Sequence, residues 1–371
     1  MAEEHNGHRV IGIDGLDSLI AALSACGYEV IGPAIREGAV DLLPIRGAGD
    51  LPRGIADEQE AGHYRLKPGL NGALFGFSNG PSSWKRYLHP PHARLWAADL
   101  SGEAPVFRND ADAPRRAMAF LGVRACDLAA IAILDTVLGE DEHYRVRRRD
   151  LAIVAVDCGQ AGATCFCASM ETGPAARSGF DIALTELVGQ GRHEFLARAA
   201  TPLGEQLLAE LPSRAPTDAD FADAAAAEAR ARAQMGRTLE TNGLSEDIAA
   251  AADSPHWQEV AGRCLTCGNC TMVCPTCFCT EMADTSDLSG NHAERWRSWE
   301  SCFTLDFSFA MGGSVRSSAA SRYRQWLTHK LSTWVDQFGS LGCVGCGRCI
   351  AWCPVGIDIT AEAEALRERQ P

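Results

Sequence analysis

The sequence predicts an α+β protein: a mixed α/β domain over residues 1–245, then a mainly helical domain over 246–371. Three observations predict it. Apolar runs at 117–123 and 151–156 bracket a helical stretch, an alanine-rich segment follows at 216–240, and eight of the 16 cysteines crowd into two arrays near the C-terminus.

The elements follow in order. Leu16, Leu19, Ile20 and Leu23 recur at helical spacing, and 29–35 reads as a short strand. The run 117–123 has no polar face, the signature of a strand buried on both sides. A helix with Asp127 near its start covers 127–134, and a second buried strand covers 151–156. Strand, helix, strand is a βαβ unit with a parallel pair. Residues 216–240, rich in Ala, Glu and Arg, read as an exposed helix, and 241–254 as the linker. Ser254-Pro255 then supplies an N-cap and a proline at the first helical position. Tyr323, Leu327, Leu331, Trp334 and Phe338 form one apolar stripe on a later helix, which Gly339 stops.

Composition excludes several classes. Lys and Arg number 34 against 48 Asp and Glu, a formal net charge of −14, so no basic face is expected to meet nucleic acid. No run approaches the roughly 20 apolar residues that span a bilayer. The start, Met1-Ala2-Glu3-Glu4-His5, is acidic and lacks the apolar stretch of a secretory signal. A reducing cytoplasm is the expected compartment, because thiols this closely spaced cannot be neighbouring disulfides without strain.

The arrays carry the chemistry. Cys264-x2-Cys267-x2-Cys270-x3-Cys274-Pro275 is repeated as Cys343-x2-Cys346-x2-Cys349-x3-Cys353-Pro354. This is the bacterial-ferredoxin spacing, in which three close cysteines wrap one cubane and the fourth ligates the other. Two [4Fe–4S] clusters are therefore expected. Cys264, Cys267, Cys270 and Cys353 hold one; Cys343, Cys346, Cys349 and Cys274 hold the other. Gly268 and Gly347 allow sharp turns near inorganic sulfide. Zinc is the bland alternative, but structural zinc draws on two separated ligand pairs. A long insert at 280–340 separates the arrays and is a candidate docking element.

Cys126, Cys158, Cys165 and Cys167 form a further group. Cys126 and Cys158 each follow a predicted strand, so a parallel pair places both at one carboxyl edge, where open α/β sheets hold ligands. With Cys165 and Cys167 they are a candidate third [4Fe–4S] site; buried free thiols are the plainer alternative. Cys277, Cys279 and Cys302 are candidate extra ligands or thiols near the first array, with packing as small apolar residues the favoured reading, and Cys26 is expected to pack. The run at Arg145, Arg147, Arg148 and Arg149 reads as a solvated face. Trp84-Lys85-Arg86-Tyr87 reads as a packed loop, and His89 and His92 as surface histidines. Gly12-Ile13-Asp14-Gly15 is not the dinucleotide fingerprint, and no Walker A motif occurs.

Ser82-Ser83-Trp84-Lys85-Arg86-Tyr87-Leu88, Gly122-Val123-Arg124-Ala125-Cys126-Asp127, Cys165-Phe166-Cys167 with Gly173-Pro174, and Cys264 through Cys279 carry a resemblance. The chain resembles the iron–sulfur β subunit of cytosolic NADP-linked [NiFe] hydrogenases, the sulfhydrogenases. It is also similar to the dicluster iron–sulfur component of anaerobic sulfite reductase. The likeness runs from about residue 68 onward; the first 65 residues match loosely. It implies a non-catalytic electron-transfer subunit with no catalytic residue of its own. Its expected partners are a flavin subunit using NAD(P)H and the catalytic subunits of either a [NiFe] hydrogenase or a sulfite reductase, with no membrane and no nucleic acid.

Overall fold

The parallel pair expected from the two apolar runs lies inside an eight-stranded sheet. A computed structural model describes residues 7–69, 71–189 and 191–368. The strands run in the order Ser213–Arg214, His8–Gly12, Arg192–Ala199, Ile182–Gly189, Ala152–Val156, Met118–Val123, Glu29–Arg36 and Ala39–Pro44. The three inner pairings, from Ile182–Gly189 across to Glu29–Arg36, are parallel, and the outer ones antiparallel.

Every residue of Ala152–Val156 is buried, as a polar-free run requires. Alternate side chains go to opposite faces. Ala119, Leu121 and Val154 pack with Leu16, Leu19, Ile20 and Leu23 of the helix Ile13–Ala25. Phe120 and Ile153 pack on the other face with Ile131 and Leu134 of the helix Ala125–Val137, and with Trp84.

The exposed helix occupies Asp218–Gln234, begun by a reciprocal capping box between Thr217 and Asp220. The expected linker is instead largely helical. Leu244–Ala250 forms a helix, extended by a tighter turn at Ala251–Asp253, and it buries Leu244 and Ile248. Those two residues lie four apart, enough to seat one helical face on the core although their neighbours are polar.

The insert between the arrays is not wholly helical. Thr280–Ser286 and His292–Trp299 form a hairpin that adds to His92–Asp99 and Val106–Asn109, making a four-stranded sheet. The apolar stripe follows as Ala319–Thr328, a π-helical turn at His329–Thr333, and Trp334–Phe338, with left-handed Gly339 at its end. Tyr323, Leu327, Leu331 and Trp334 are buried as expected, and Lys330 is buried with them.

Other expectations are corrected. Cys26 is exposed, because it is the C-cap residue where the chain leaves its helix rather than part of the buried face. His89 is buried beside Trp299, whose indole N–H donates to the His89 carbonyl at 2.9 Å, whereas His92 is exposed. Within the arginine run only Arg145 and Arg149 are exposed; Arg148 reaches back to Asp135 at 3.0 Å. Among the described residues no helix is long and apolar enough to cross a membrane.

Candidate metal centres

Each array is a loop that turns into a short helix through a left-handed glycine. Gly268 (φ 74°) precedes Asn269–Met272, and Gly347 (φ 75°) precedes Arg348–Ala351. Both are also places of close approach. A Cβ at Gly268 would lie 2.8 Å from Ser301 Oγ, and one at Gly347 would lie 2.5 Å from the Thr164 carbonyl. Glycine is therefore required for shape as well as for torsion.

The two arrays exchange their last cysteines. A cavity is lined by Cys264, Cys267, Cys270 and, from the other array, Cys353. Tyr323 and Trp326 line it too, and the buried Tyr323 hydroxyl and Trp326 indole N–H have no hydrogen-bond partner among the described residues. Such donors are costly unless something accepts from them. Reciprocally, Cys274 lies close enough to Cys343, Cys346 and Cys349 to act on the charge of each. The four cysteines assigned to each cubane thus come together in both cases.

The electrostatics of these thiols follow from burial. Burial pushes Cys343 up to about 12 and drives Cys270 and Cys349 well above the usual thiol range. These three thiols are therefore protonated in a bare site, and metal capture releases their protons. Backbone amides already aim at sulfur: Thr266 N to Cys264 Sγ at 3.4 Å, Gly345 N to Cys343 Sγ at 3.5 Å, and Ile357 N to Cys353 Sγ at 3.3 Å. Such bonds hold thiolate charge and tune a cluster's potential.

Two lysines complete the second site. Lys330 donates to Thr276 Oγ1 at 2.9 Å and to the Gly342 carbonyl at 3.0 Å. Lys85 donates to the Cys277 carbonyl at 2.8 Å and sits 3.9 Å from the Trp299 ring centroid. Both are buried, and among the described residues neither forms an ion pair with a carboxylate. Burial lowers Lys85 to about 8. At Lys330 burial works the same way, but Cys274, Cys277 and Cys343 outweigh it and hold the ammonium charged. A buried cation needs an anionic neighbour, and an all-cysteine cubane is anionic. The residues present fit that group.

The third cysteine group also converges. Cys126 opens the helix Ala125–Val137, and Cys158 follows the strand Ala152–Val156 at the same sheet edge. Cys126, Cys165 and Cys167 are buried. Cys167 feels Cys158, Cys165 and Cys346, and Cys126 feels Cys167 and Cys346. Burial raises Cys165 to about 12. The loop holding Cys165 and Cys167 is tied to the second array by Phe166 N donating to the Gly345 carbonyl at 2.9 Å. Asn79 bridges the same boundary, from Cys126 Sγ at 3.4 Å to the Cys346 carbonyl at 3.3 Å. Beside it Arg348 forms a buried two-pronged pair with Asp127 at 2.9 and 3.1 Å.

Among the described residues, no three His, Cys, Asp or Glu side chains gather closely enough to hold a single ion. A tetrahedral zinc demands that crowding; a cubane offers four separate irons and suits thiols set further apart. Sequence reasoning missed Lys85, Lys330, Arg348, Asp127 and Asn79. A lysine inside an apolar stripe, as Lys330 lies between Leu327 and Leu331, was the available signal.

A protein with two interlocked cysteine arrays of this form is a dicluster iron–sulfur protein. Residues 263–357 match the 4Fe-4S dicluster domain family, and the chain carries two [4Fe–4S] clusters. Over 253 residues the chain is 33% identical to sulfhydrogenase 2 subunit beta of Pyrococcus furiosus, covering 67% of this chain and 73% of that relative. The chain belongs to the family of sulfhydrogenase β subunits. No solved structure matches it.

Proposed function

We propose that this chain is the electron-transfer iron–sulfur subunit of a multi-subunit [NiFe]-hydrogenase complex, relaying electrons between a flavin subunit that uses NAD(P)H and the hydrogenase module. Cys264, Cys267, Cys270 and Cys353 hold one cubane; Cys343, Cys346, Cys349 and Cys274 hold the other. Cys126, Cys158, Cys165 and Cys167 hold a third, next to the second. The units 1–245 and 246–371 then contribute one and two clusters respectively. The observation that carries this reading is the cavity where three cysteines of one array meet Cys353 of the other, with the orphaned donors of Tyr323 and Trp326 on its wall.

A bound cubane supplies one reversible electron at a time. The chain's own residues do the rest. Thr266, Gly345 and Ile357 amides hold thiolate charge, and Lys330 supplies positive charge beside the second site. The weld of Arg348, Asp127 and Asn79 keeps the third cysteine group beside Cys346. Membership among sulfhydrogenase β subunits supports the assignment to a hydrogenase complex.

Anaerobic purification with iron and sulfide counting tests it. About twelve irons per chain are expected, at about four per cubane, and Cys158→Ser lowers the count to about eight. A wild-type count near eight removes the third cluster. A colourless protein with stoichiometric zinc removes the function.

A further inference from the structure

Cys277, Cys279 and Cys302, at the edges of the insert, stand outside the cluster ligands already assigned, and two of them form a pair. The hairpin Thr280–Ser286/His292–Trp299 closes at its base with Thr280 opposite Trp299. One residue further out, Glu300 N donates to the Cys279 carbonyl at 2.9 Å. That backbone bridge brings the segments carrying Cys279 and Cys302 side by side, close enough for each thiol to act on the charge of the other. Both are unbridged; Cys302 is buried and Cys279 half-buried.

The pair lies between the two cluster sites. On one side, Ser301 Oγ accepts from Thr271 Oγ1 at 2.8 Å, so the segment carrying Cys302 rests on the turn that holds Cys270. The charge of Cys270 reaches Cys302 directly. On the other side, Lys330 and Lys85, which face Cys274, also act on Cys279. The Cys302 thiol and these cations together draw Cys279 below the usual thiol range.

We propose that Cys279 and Cys302 are a reversible dithiol–disulfide couple in electronic contact with both cubanes, a two-electron store between two one-electron carriers. The proposal rests on the cluster assignment above. On oxidation the S–S bond forms, two electrons leave singly to two oxidised cubanes, and the thiol protons pass to water at the half-buried Cys279 edge. On reduction two reduced cubanes each return one electron, the S–S bond breaks, and two protons are taken up. No other oxidant or reductant is needed. The backbone bridge from Glu300 to Cys279 holds the two segments at the spacing that bridging demands.

The test uses the full chain, purified anaerobically with its clusters. Samples are poised with redox mediators across a range of potentials, quenched in acid, alkylated in denaturant and mapped by mass spectrometry. Cys279 and Cys302 are expected to be alkylated in reduced samples and joined in one cross-linked peptide, lighter by two hydrogens, in oxidised ones. In a coulometric titration Cys302→Ala and Cys279→Ser should each take up two fewer electrons than wild type at unchanged iron content. If both thiols stay alkylatable at every potential, the couple does not exist. If either variant loses about four irons, the residue is a cluster ligand and the proposal fails. A wild-type chain with fewer than about eight irons instead overturns the cluster assignment itself.

Discussion

Lys330→Met should lower the reduction potential of the cluster proposed at Cys274, Cys343, Cys346 and Cys349 while leaving the protein folded and its iron in place. The ammonium lies 2.9 Å from Thr276 Oγ1, which lies 3.2 Å from Cys274 Sγ, so nitrogen and sulfur are within about 6 Å. The cubane's centre is a few ångströms further. One unit charge acting over ~8 Å at an effective dielectric of ~20 is worth about 2 kcal/mol. For a one-electron couple, about 1.4 kcal/mol corresponds to about 59 mV, so the potential should fall by roughly 90 mV. The sign follows from charge: removing a cation disfavours adding an electron nearby. Because Lys330 is buried, the shift should persist at high salt, where surface effects are screened. Mediated titration followed by electron paramagnetic resonance measures it, with iron counting as the control. A shift below about 20 mV at full iron content, far under the Coulomb figure, would show that the ammonium does not face the cluster.

Other outcomes follow from the same geometry. Cys353→Ser should remove or convert the cluster of the first array, not the second, lowering iron by up to about four per chain; loss from the second site alone contradicts the exchanged ligands. Asp127→Ala strands the buried Arg348 charge and should cost about 3–5 kcal/mol in urea unfolding, whereas the double variant with Arg348→Met should recover part of that loss; a double variant whose loss is the sum of the two single losses would mean the pair is not coupled. Asp220 is held well below the usual carboxylate range, first by Arg214 and then by Thr217. Its contribution is therefore present above the ordinary carboxylate pKa and fades as pH falls below it, so Asp220→Asn should destabilise at pH 7 and converge with wild type in strong acid. Convergence already at neutral pH would contradict that pairing. Cys26→Ser should leave iron content unchanged and remove one rapidly labelled thiol from the native protein, since Cys26 is exposed.

The sequence made the sheet core and the arrays readable for simple reasons. A polar-free run such as 152–156 has few homes other than a doubly covered strand, and the spacing of Cys264 to Cys274 encodes its own geometry. The helix at Leu244–Ala250 was hidden because two apolar residues in a polar segment give a faint periodic signal. The hairpin in the insert was hidden because its strands are mostly exposed and show no clean alternation. Lys330 and Arg348 were hidden because charged residues are ordinarily read as surface. The neighbourhood of thiols explains burying Lys330, and the Asp127 carboxylate explains burying Arg348. Cys26 was misread because burial of a cysteine depends on what covers it, which no local pattern specifies.

The swapped fourth ligands bear on how the protein matures. Under the proposed assignment Cys353 closes the first cage and Cys274 the second, so a nascent chain that has emerged only to residue 342 owns neither finished pocket. Both cages would then become competent together, once residues 343–353 are in place. A chain stopped between residues 275 and 342 would carry one full cysteine array and, under that assignment, no site of this pair able to hold a complete cubane.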